Sequence, residues 1–98
     1  MWVLRESGVE EGGLTFRLTT GSVRTVGRAT RADFIVDASL VSRLHCRLTA
    51  RPDGALEVED LESTNGTFVN GKKVDRAELK DGDELGIGRV RLTVTRAD

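Results

Sequence analysis

Three short stretches of the sequence carry residue types that suit the binding of an anion. Arg28 follows a glycine, Arg43 follows a serine, and hydroxyl and amide side chains occupy residues 63–65, before Gly66. Guanidinium groups make charge-assisted hydrogen bonds to phosphate oxygens, and Ser and Thr hydroxyls add neutral donors. If folding brings the three stretches together, they would suit a phosphate dianion, with Asn65 placed to hold a peptide backbone.

Each of these residues also has an ordinary structural explanation. A glycine such as Gly27 before an irregular stretch commonly marks a turn, and a lone arginine is commonly solvated. Asn65-Gly66 is a typical hairpin dipeptide, and Ser42 fits a local hydroxyl-to-backbone turn. Residue types alone therefore leave phosphate binding and simple turn formation both open.

Catalysis has little support from the sequence. His45 and Cys46 are the single His and the single Cys. Neighbours on a strand point to opposite faces, so the two cannot act as a nucleophile and base pair, and they cannot form a zinc site alone. Cys46 occupies one of the apolar positions in the alternating pattern of its predicted strand, which predicts a buried structural thiol. The acids of residues 57–62 predict a solvent-exposed strand face. We expect the protein not to be an enzyme and to bind no cofactor or metal.

Charge is distributed unevenly along the chain. The net charge is −1, which favours neither nucleic acid nor membrane as a partner. Residues 24–51 hold six Arg against two acids, whereas residues 53–62 hold five acids and no base. A single Cys excludes an internal disulfide, and no stretch resembles a signal peptide or a membrane span. The expected location is the cytoplasm.

A period of two dominates the apolar pattern, which is typical of strands with one buried face. Leu44, Cys46, Leu48 and Ala50 alternate with polar residues, and the segments near 14–18, 56–59 and 90–95 behave alike. Turn signals separate these segments, as in an antiparallel β-sandwich. We predict one all-β domain over residues 1–98 with about ten short strands, and at most one helical turn at residues 77–80.

At these positions the sequence resembles a forkhead-associated (FHA) domain along nearly its whole length. The ordered motifs that carry the resemblance are Thr25-Val26-Gly27-Arg28, Asp33-Phe34-Ile35-Val36, Val41-Ser42-Arg43-Leu44-His45-Cys46, Asp60-Leu61-Glu62-Ser63-Thr64-Asn65-Gly66-Thr67-Phe68-Val69-Asn70-Gly71 and Leu79-Lys80-Asp81-Gly82-Asp83. The family fold is an antiparallel β-sandwich whose loops at one end bind phosphothreonine peptides. The resemblance therefore implies a non-catalytic reader of phosphothreonine proteins in Ser/Thr kinase signalling.

The resemblance also implies a role for individual residues. Arg28, Ser42 and Thr64 would contact the phosphate, Arg43 would add charge beside it, and Asn65 would bond the peptide main chain. Three further residues, Gly27, His45 and Gly66, would shape the loops.

Two departures from the family pattern leave peptide preference open. Leu40 stands where some members carry a basic residue that reads an acid three places after the phosphothreonine. Glu62 stands where many members have Gly. The competing hypothesis is a phosphate-independent interaction module on the same fold. The absence of Arg28 or Ser42 from the sequence would indicate such a module, and both residues are present. Because the first Thr is Thr15, inside a predicted strand, we expect no self-regulation by an N-terminal phosphothreonine, and we expect a monomer.

Overall fold

Alternating burial along the strands divides the chain into two sheets that pack face to face. The computed structural model describes residues 1–97. Its strands are β1 Trp2–Glu6, β2 Thr15–Leu18, β3 Val23–Gly27, β4 Phe34–Ile35, β5 Cys46–Ala50, β6 Leu56–Asp60, β7 Thr67–Val69, β8 Lys72–Val74, β9 Arg76–Leu79, β10 Glu84–Ile87 and β11 Val90–Arg96. None of the described residues is helical, so none of them contributes a helix long and apolar enough to cross a membrane.

The two sheets differ in size but share an antiparallel plan. The larger has the order β2-β1-β11-β10-β7-β8, and the smaller has the order β4-β3-β5-β6-β9. Pairing is antiparallel between neighbours except for the short parallel contact of β3 with β4. This arrangement confirms the predicted all-β sandwich.

The core lies between the sheets and takes every second residue of each central strand. Leu4, Leu48, Val58, Leu85 and Leu92 have no exposed surface. Full burial of such a side chain contributes about 1.5–3 kcal/mol relative to exposure. Stacked rings of Phe16 and Phe34, with centroids 4.5 Å apart, close the side of the sandwich where β2 faces β4. The core therefore holds both sheets rigidly beneath the connecting loops.

The structure decides the predictions made for residues 77–80 and for Cys46. Residues 77–80 do not form a helical turn, because Ala77 and Leu79 face inward from β9 and pair with Val58 and Leu56. Cys46 is fully buried, as predicted. Burial, together with the charge of Asp60, raises the pKa of its thiol to about 12.

Strand ends bring the long irregular segments to one end of the sandwich. β3 ends at Gly27 and β5 begins at Cys46, so the 28–45 loop starts and finishes on adjacent strands. The 61–66 loop follows β6, the other neighbour of β5. A backbone bond of 2.9 Å from Leu61 N to the carbonyl of His45 joins the two loops at their bases.

Candidate functional site

Gly27 allows the 28–45 loop to close on itself. A Cβ atom at this position would lie 2.1 Å from the backbone oxygen of Arg43, so no other residue fits without moving the backbone. Because the chains approach so closely, Arg28 N bonds Ser42 O at 3.0 Å and Ala29 N bonds Arg43 O at 3.0 Å. The glycine therefore sets Arg28 and Ser42 side by side.

A clamp between Thr25 and Asp33 fixes the outgoing part of the same loop. Oδ2 of Asp33 accepts hydrogen bonds from the backbone N and the hydroxyl of Thr25, at 2.9 and 3.1 Å. These bonds, with the nearby charge of Arg24, hold the pKa of Asp33 below its usual value. The carboxylate thus remains ionised and keeps the loop folded back beside β3.

His45 joins the two loops from below. It is fully buried, its Nδ1 accepts a hydrogen bond from Ser42 N at 3.0 Å, and its Nε2 lies 2.8 Å from the carbonyl of Gly66. The Ser42 N–H can only donate and the Gly66 carbonyl can only accept, so the ring is neutral with its proton on Nε2. This is the geometry expected of a loop-shaping residue, and it ties Ser42 to the 61–66 loop.

Asp60 organises the second loop, although the sequence predicted only a wet acidic face for residues 57–62. Its Oδ1 accepts hydrogen bonds from Ser63 Oγ at 2.5 Å and from Thr67 Oγ1 at 2.7 Å, and Oδ2 accepts from Ser63 N at 3.2 Å. Burial acts to raise the pKa of Asp60, but these bonds outweigh it and hold the pKa below its usual value. Ser63 Oγ in turn accepts the N–H of Gly66 at 2.9 Å. An acid followed three residues later by a serine is a known local turn signal and could have identified Asp60.

The loops enclose a surface depression of about 460 Å³. Its lining residues are Arg28, Ser39, Leu40, Val41, Ser42, Thr64 and Asn65. Four of the five predicted contact residues therefore meet at one place. Arg43 is exposed nearby but does not line the depression, whereas Ser39 and Val41 do so without having been predicted.

Hydrogen bonds inside the protein leave donors available in this depression. Arg28 Nε bonds the carbonyl of Val41 at 3.1 Å, and its two terminal nitrogens make no bond to the part of the chain that is described. Ser42 Oγ accepts the backbone N–H of Thr64 at 3.0 Å, so its own proton remains available for donation. Asn65 Nδ2 bonds the carbonyl of Leu40 at 3.0 Å, which leaves its amide oxygen as an acceptor.

Uncompensated positive charge surrounds the depression. Within residues 1–97, Arg28, Arg31 and Arg43 have no carboxylate within 4.0 Å, whereas Arg47 is paired with Glu59. Of the six arginines in residues 24–51, Arg47 and Arg51 are therefore paired with carboxylates, whereas the arginines of the 28–45 loop have no such partner among the described residues. A dianion in the depression would gain charge-assisted bonds from this end of the molecule.

Backbone strain is concentrated in the same loops. Leu40 and Glu62 have φ of 71° and 55°, in the left-handed region that favours glycine. Such conformations cost about 1–2 kcal/mol each and commonly mark functional sites. Asn70, with φ of 51°, is different because it and Gly71 form the tight hairpin turn between β7 and β8, as their sequence predicted.

Known proteins resemble this chain in sequence. The family described as "FHA domain" matches residues 24–88. An ABC transporter ATP-binding/permease protein, Rv1747 of Mycobacterium tuberculosis, is 47% identical over 81 residues, 83% of this chain and 9% of that protein. The oxoglutarate dehydrogenase inhibitor of Corynebacterium diphtheriae is 43% identical over 68 residues, 69% of this chain and 47% of that protein. The chain thus spans less than half the length of these relatives.

The fold is also that of solved FHA domains. One such domain, from a structural and functional analysis of phosphothreonine-dependent FHA domain interactions, is 30% identical with a TM-score of 0.87 and covers 99% of this chain and 97% of its own. The family match extends over the strands and both loops that build the depression. On these grounds the chain belongs to the FHA domain family.

Proposed function

We propose that this chain is a phosphothreonine-binding module that docks phosphorylated segments of partner proteins in Ser/Thr kinase signalling. The observation that carries the proposal is the state of Arg28 and Ser42. Each uses one polar group to hold the loops and has a further donor that makes no bond within the described chain, and both residues line the same depression. A phosphothreonine brings a charge of about −1.5 to −2 and three acceptor oxygens, which match these donors.

Individual roles follow from position. Arg28, Ser42 and Thr64 would bind the phosphate, and the amide oxygen of Asn65 would accept a peptide N–H. Arg43 lies outside the lining, so its contribution would be positive charge over a short distance rather than a direct bond. Gly27, His45 and Gly66 are buried and would act by holding the two loops in register.

Binding without catalysis is part of the same proposal. Both ring nitrogens of His45 are engaged in hydrogen bonds within the protein, which leaves no lone pair for proton transfer. The thiol of Cys46 is buried and has a pKa of about 12, so it carries almost no thiolate near neutral pH. Neither residue reaches the depression. The buried reduced thiol is also compatible with the cytoplasm, where we propose that the module acts.

Isothermal titration calorimetry with two matched peptides tests the function. One peptide carries phosphothreonine and the other carries threonine in the same sequence. Two hydrogen bonds to a charged group contribute about 3–6 kcal/mol, so we expect the phosphopeptide to bind at least about 100-fold more tightly. Equal affinity for the two peptides would favour the phosphate-independent interaction module instead.

A further inference from the structure

A second depression lies on the outer face of the larger sheet and is close to the first. This β10 groove has a volume of about 460 Å³ and is lined by Phe68, Asn70, Glu84, Gly86, Gly88 and Arg91. Gly88 stands at one end, where a Cβ atom would lie 3.1 Å from the carbonyl carbon and oxygen of Leu40. Leu40 lines the phosphate-binding depression. The two depressions are therefore neighbours, separated by the contact of Gly88 with Leu40.

The floor of the groove is a glycine that the fold does not require. Gly86 lies in the middle of β10 and has a negative φ, so its backbone conformation is open to other residues. A Cβ there would meet only Phe68, with its nearest atom at 3.4 Å, which is an ordinary contact. Glycine inside a strand weakens the strand and commonly marks a place where another chain approaches closely. Gly86 thus lowers stability and creates an open gap.

The walls of the groove define the chemistry of its occupant. Arg91, Gly86, Phe68 and Lys73 form one cross-strand row on the outer face. The half-buried ring of Phe68 offers an apolar wall on one side of the gap, and Arg91 offers a cation on the other. Arg91 Nε lies 3.9 Å from Glu84 Oε1, and its side chain is 71% exposed, so this ion pair is weak. The side chain of Lys73 packs over Gly66, in the 61–66 loop.

The length of the groove fits an extended chain. Glu84 and Gly88 are four residue steps apart, which corresponds to about 14 Å at the rise of a strand, or about four residues of an extended peptide. β10 is paired on both sides, with β7 and β11, so a docked segment cannot add to the sheet through its backbone. Contacts in the groove would be made by side chains and would depend on the sequence of the segment.

We propose that the β10 groove binds the part of the phosphorylated partner that flanks the phosphothreonine, with an apolar side chain over Gly86 and a carboxylate near Arg91. This inference rests on the proposed function and extends its binding surface from one loop end onto the sheet. The phosphate-binding depression supplies recognition of the modification, and the groove supplies selectivity for the sequence around it.

Titration of two phosphothreonine peptides tests the groove. The short peptide has two residues on each side of the phosphothreonine, and the long peptide adds about six alternating Leu and Glu residues on each side, so that apolar and acidic groups fall on opposite faces. We expect the long peptide to bind about tenfold more tightly than the short one. Gly86→Val should abolish this gain and leave affinity for the short peptide and the melting temperature no lower than in the parent.

Charge variants on the same sheet face provide the matched control. Arg91→Glu should weaken binding of the long peptide, whereas Arg17→Glu, on the distant strand β2, should leave the tenfold gain intact. Gly86→Ala adds a single methyl group and should remove part of the gain. If the parent bound the two peptides equally, or if Gly86→Val kept the full gain, the proposed role of the β10 groove would be contradicted. The proposed phosphate site would not be affected by either result. Failure of the short peptide to bind would instead contradict the phosphate site.

Discussion

The two ends of the sandwich both carry a depression lined by arginine, but their charges are arranged differently. At the loop end, Arg28 has no acidic partner among the described residues. At the opposite end, near Trp2 and Gly54, a depression of about 360 Å³ contains cations and acids in equal number: Arg51, Lys80 and Arg96 with Asp53, Glu78 and Asp81. Arg51 pairs there with Asp53, at 3.1 Å.

Some polar groups of the opposite end are engaged within the protein. Trp2 Nε1 donates to the carbonyl of Gly54 at 3.1 Å, and the Arg96 guanidinium lies 5.4 Å from the centroid of the Trp2 ring. No bond of this kind occupies the terminal nitrogens of Arg28 within the described chain. A concave surface with arginine is therefore insufficient for an anion site, and the balance of charge in its lining makes the difference.

The largest expected effect is the loss of binding in Arg28→Ala. Removal of the guanidinium should weaken phosphopeptide binding by at least about 100-fold, because two charge-assisted bonds disappear. The melting temperature should stay within a few degrees, since the side chain is exposed. Arg51→Ala removes the same side chain at the opposite end and should leave affinity unchanged in the same calorimetric titration. Full phosphopeptide affinity in Arg28→Ala would mean that the phosphate binds elsewhere.

His45→Ala should lower stability and affinity together. The variant loses two buried hydrogen bonds and leaves a cavity, at a cost of about 3 kcal/mol. In a domain of this size that cost lowers the melting temperature by more than about 10 °C. Trp2→Leu is the matched control, since it also damages a buried, hydrogen-bonded ring but at the opposite end. It should lower the melting temperature without changing phosphopeptide affinity, and an equal loss of affinity in both variants would refute a local role for His45.

The ionised Asp60 carboxylate should support both the stability of the protein at low pH and its affinity for the phosphopeptide. Folding lowers the pKa of Asp60 from its ordinary value of 3.8. Its contribution to the free energy of unfolding is therefore fully present above pH 3.8 and is lost as the pH falls through the lower pKa of the folded state. Asp60→Asn should therefore cost about 2 kcal/mol at pH 7, reduce phosphopeptide affinity, and flatten the dependence of stability on pH below about 4. Asp53 also has a lowered pKa but lies at the opposite end, bonded to Ala55 and Arg51. Asp53→Asn should leave affinity unchanged, and urea unfolding at pH 3–7 would compare the two variants.

The smallest expected effect is a gain in stability and in phosphopeptide affinity in Glu62→Gly. Relief of the left-handed backbone would be partly offset by the greater freedom of glycine in the unfolded chain, for a net stabilisation of about 0.5 kcal/mol. Removal of a negative charge from the 61–66 loop should also raise phosphopeptide affinity a few-fold at low salt. Glu62→Ala separates the two causes, because it should raise affinity without raising stability. Unchanged affinity in both variants would show that this charge does not reach the site.

Sequence patterns predicted the strands with strong alternation but not those with weak apolar content. β5 alternates Cys46, Leu48 and Ala50 with polar residues, whereas β9 offers only Ala77 and Leu79 to the core. That pair was interpreted as a possible turn because its burial depends on β6, which is distant in sequence. Short strands such as β8 depend in the same way on their tertiary partners.

Site residues with a family motif were predicted, and those defined by packing were not. Arg28, Ser42, Thr64 and Asn65 converge on one depression, as the resemblance implied. The bonds of Asp60 to Ser63 and Thr67, and the open gap over Gly86, emerge only when strands from separate parts of the chain are adjacent. Residue type cannot show which arginine shares a depression with acidic side chains, and this distinction separates the two ends of the molecule.

The most direct test of the account is a titration of the isotopically labelled chain with the phosphothreonine peptide, followed by two-dimensional amide NMR. We expect large shifts for the backbone amides of Arg28, Ser42 and Thr64, and no shift for the indole N–H of Trp2 or the amide of Gly54. The unphosphorylated peptide should leave both ends unchanged. Shifts centred on Trp2 and Gly54, with the loop amides unmoved, would contradict the central claim that an arginine without acidic neighbours in its depression, rather than concavity, defines the binding end.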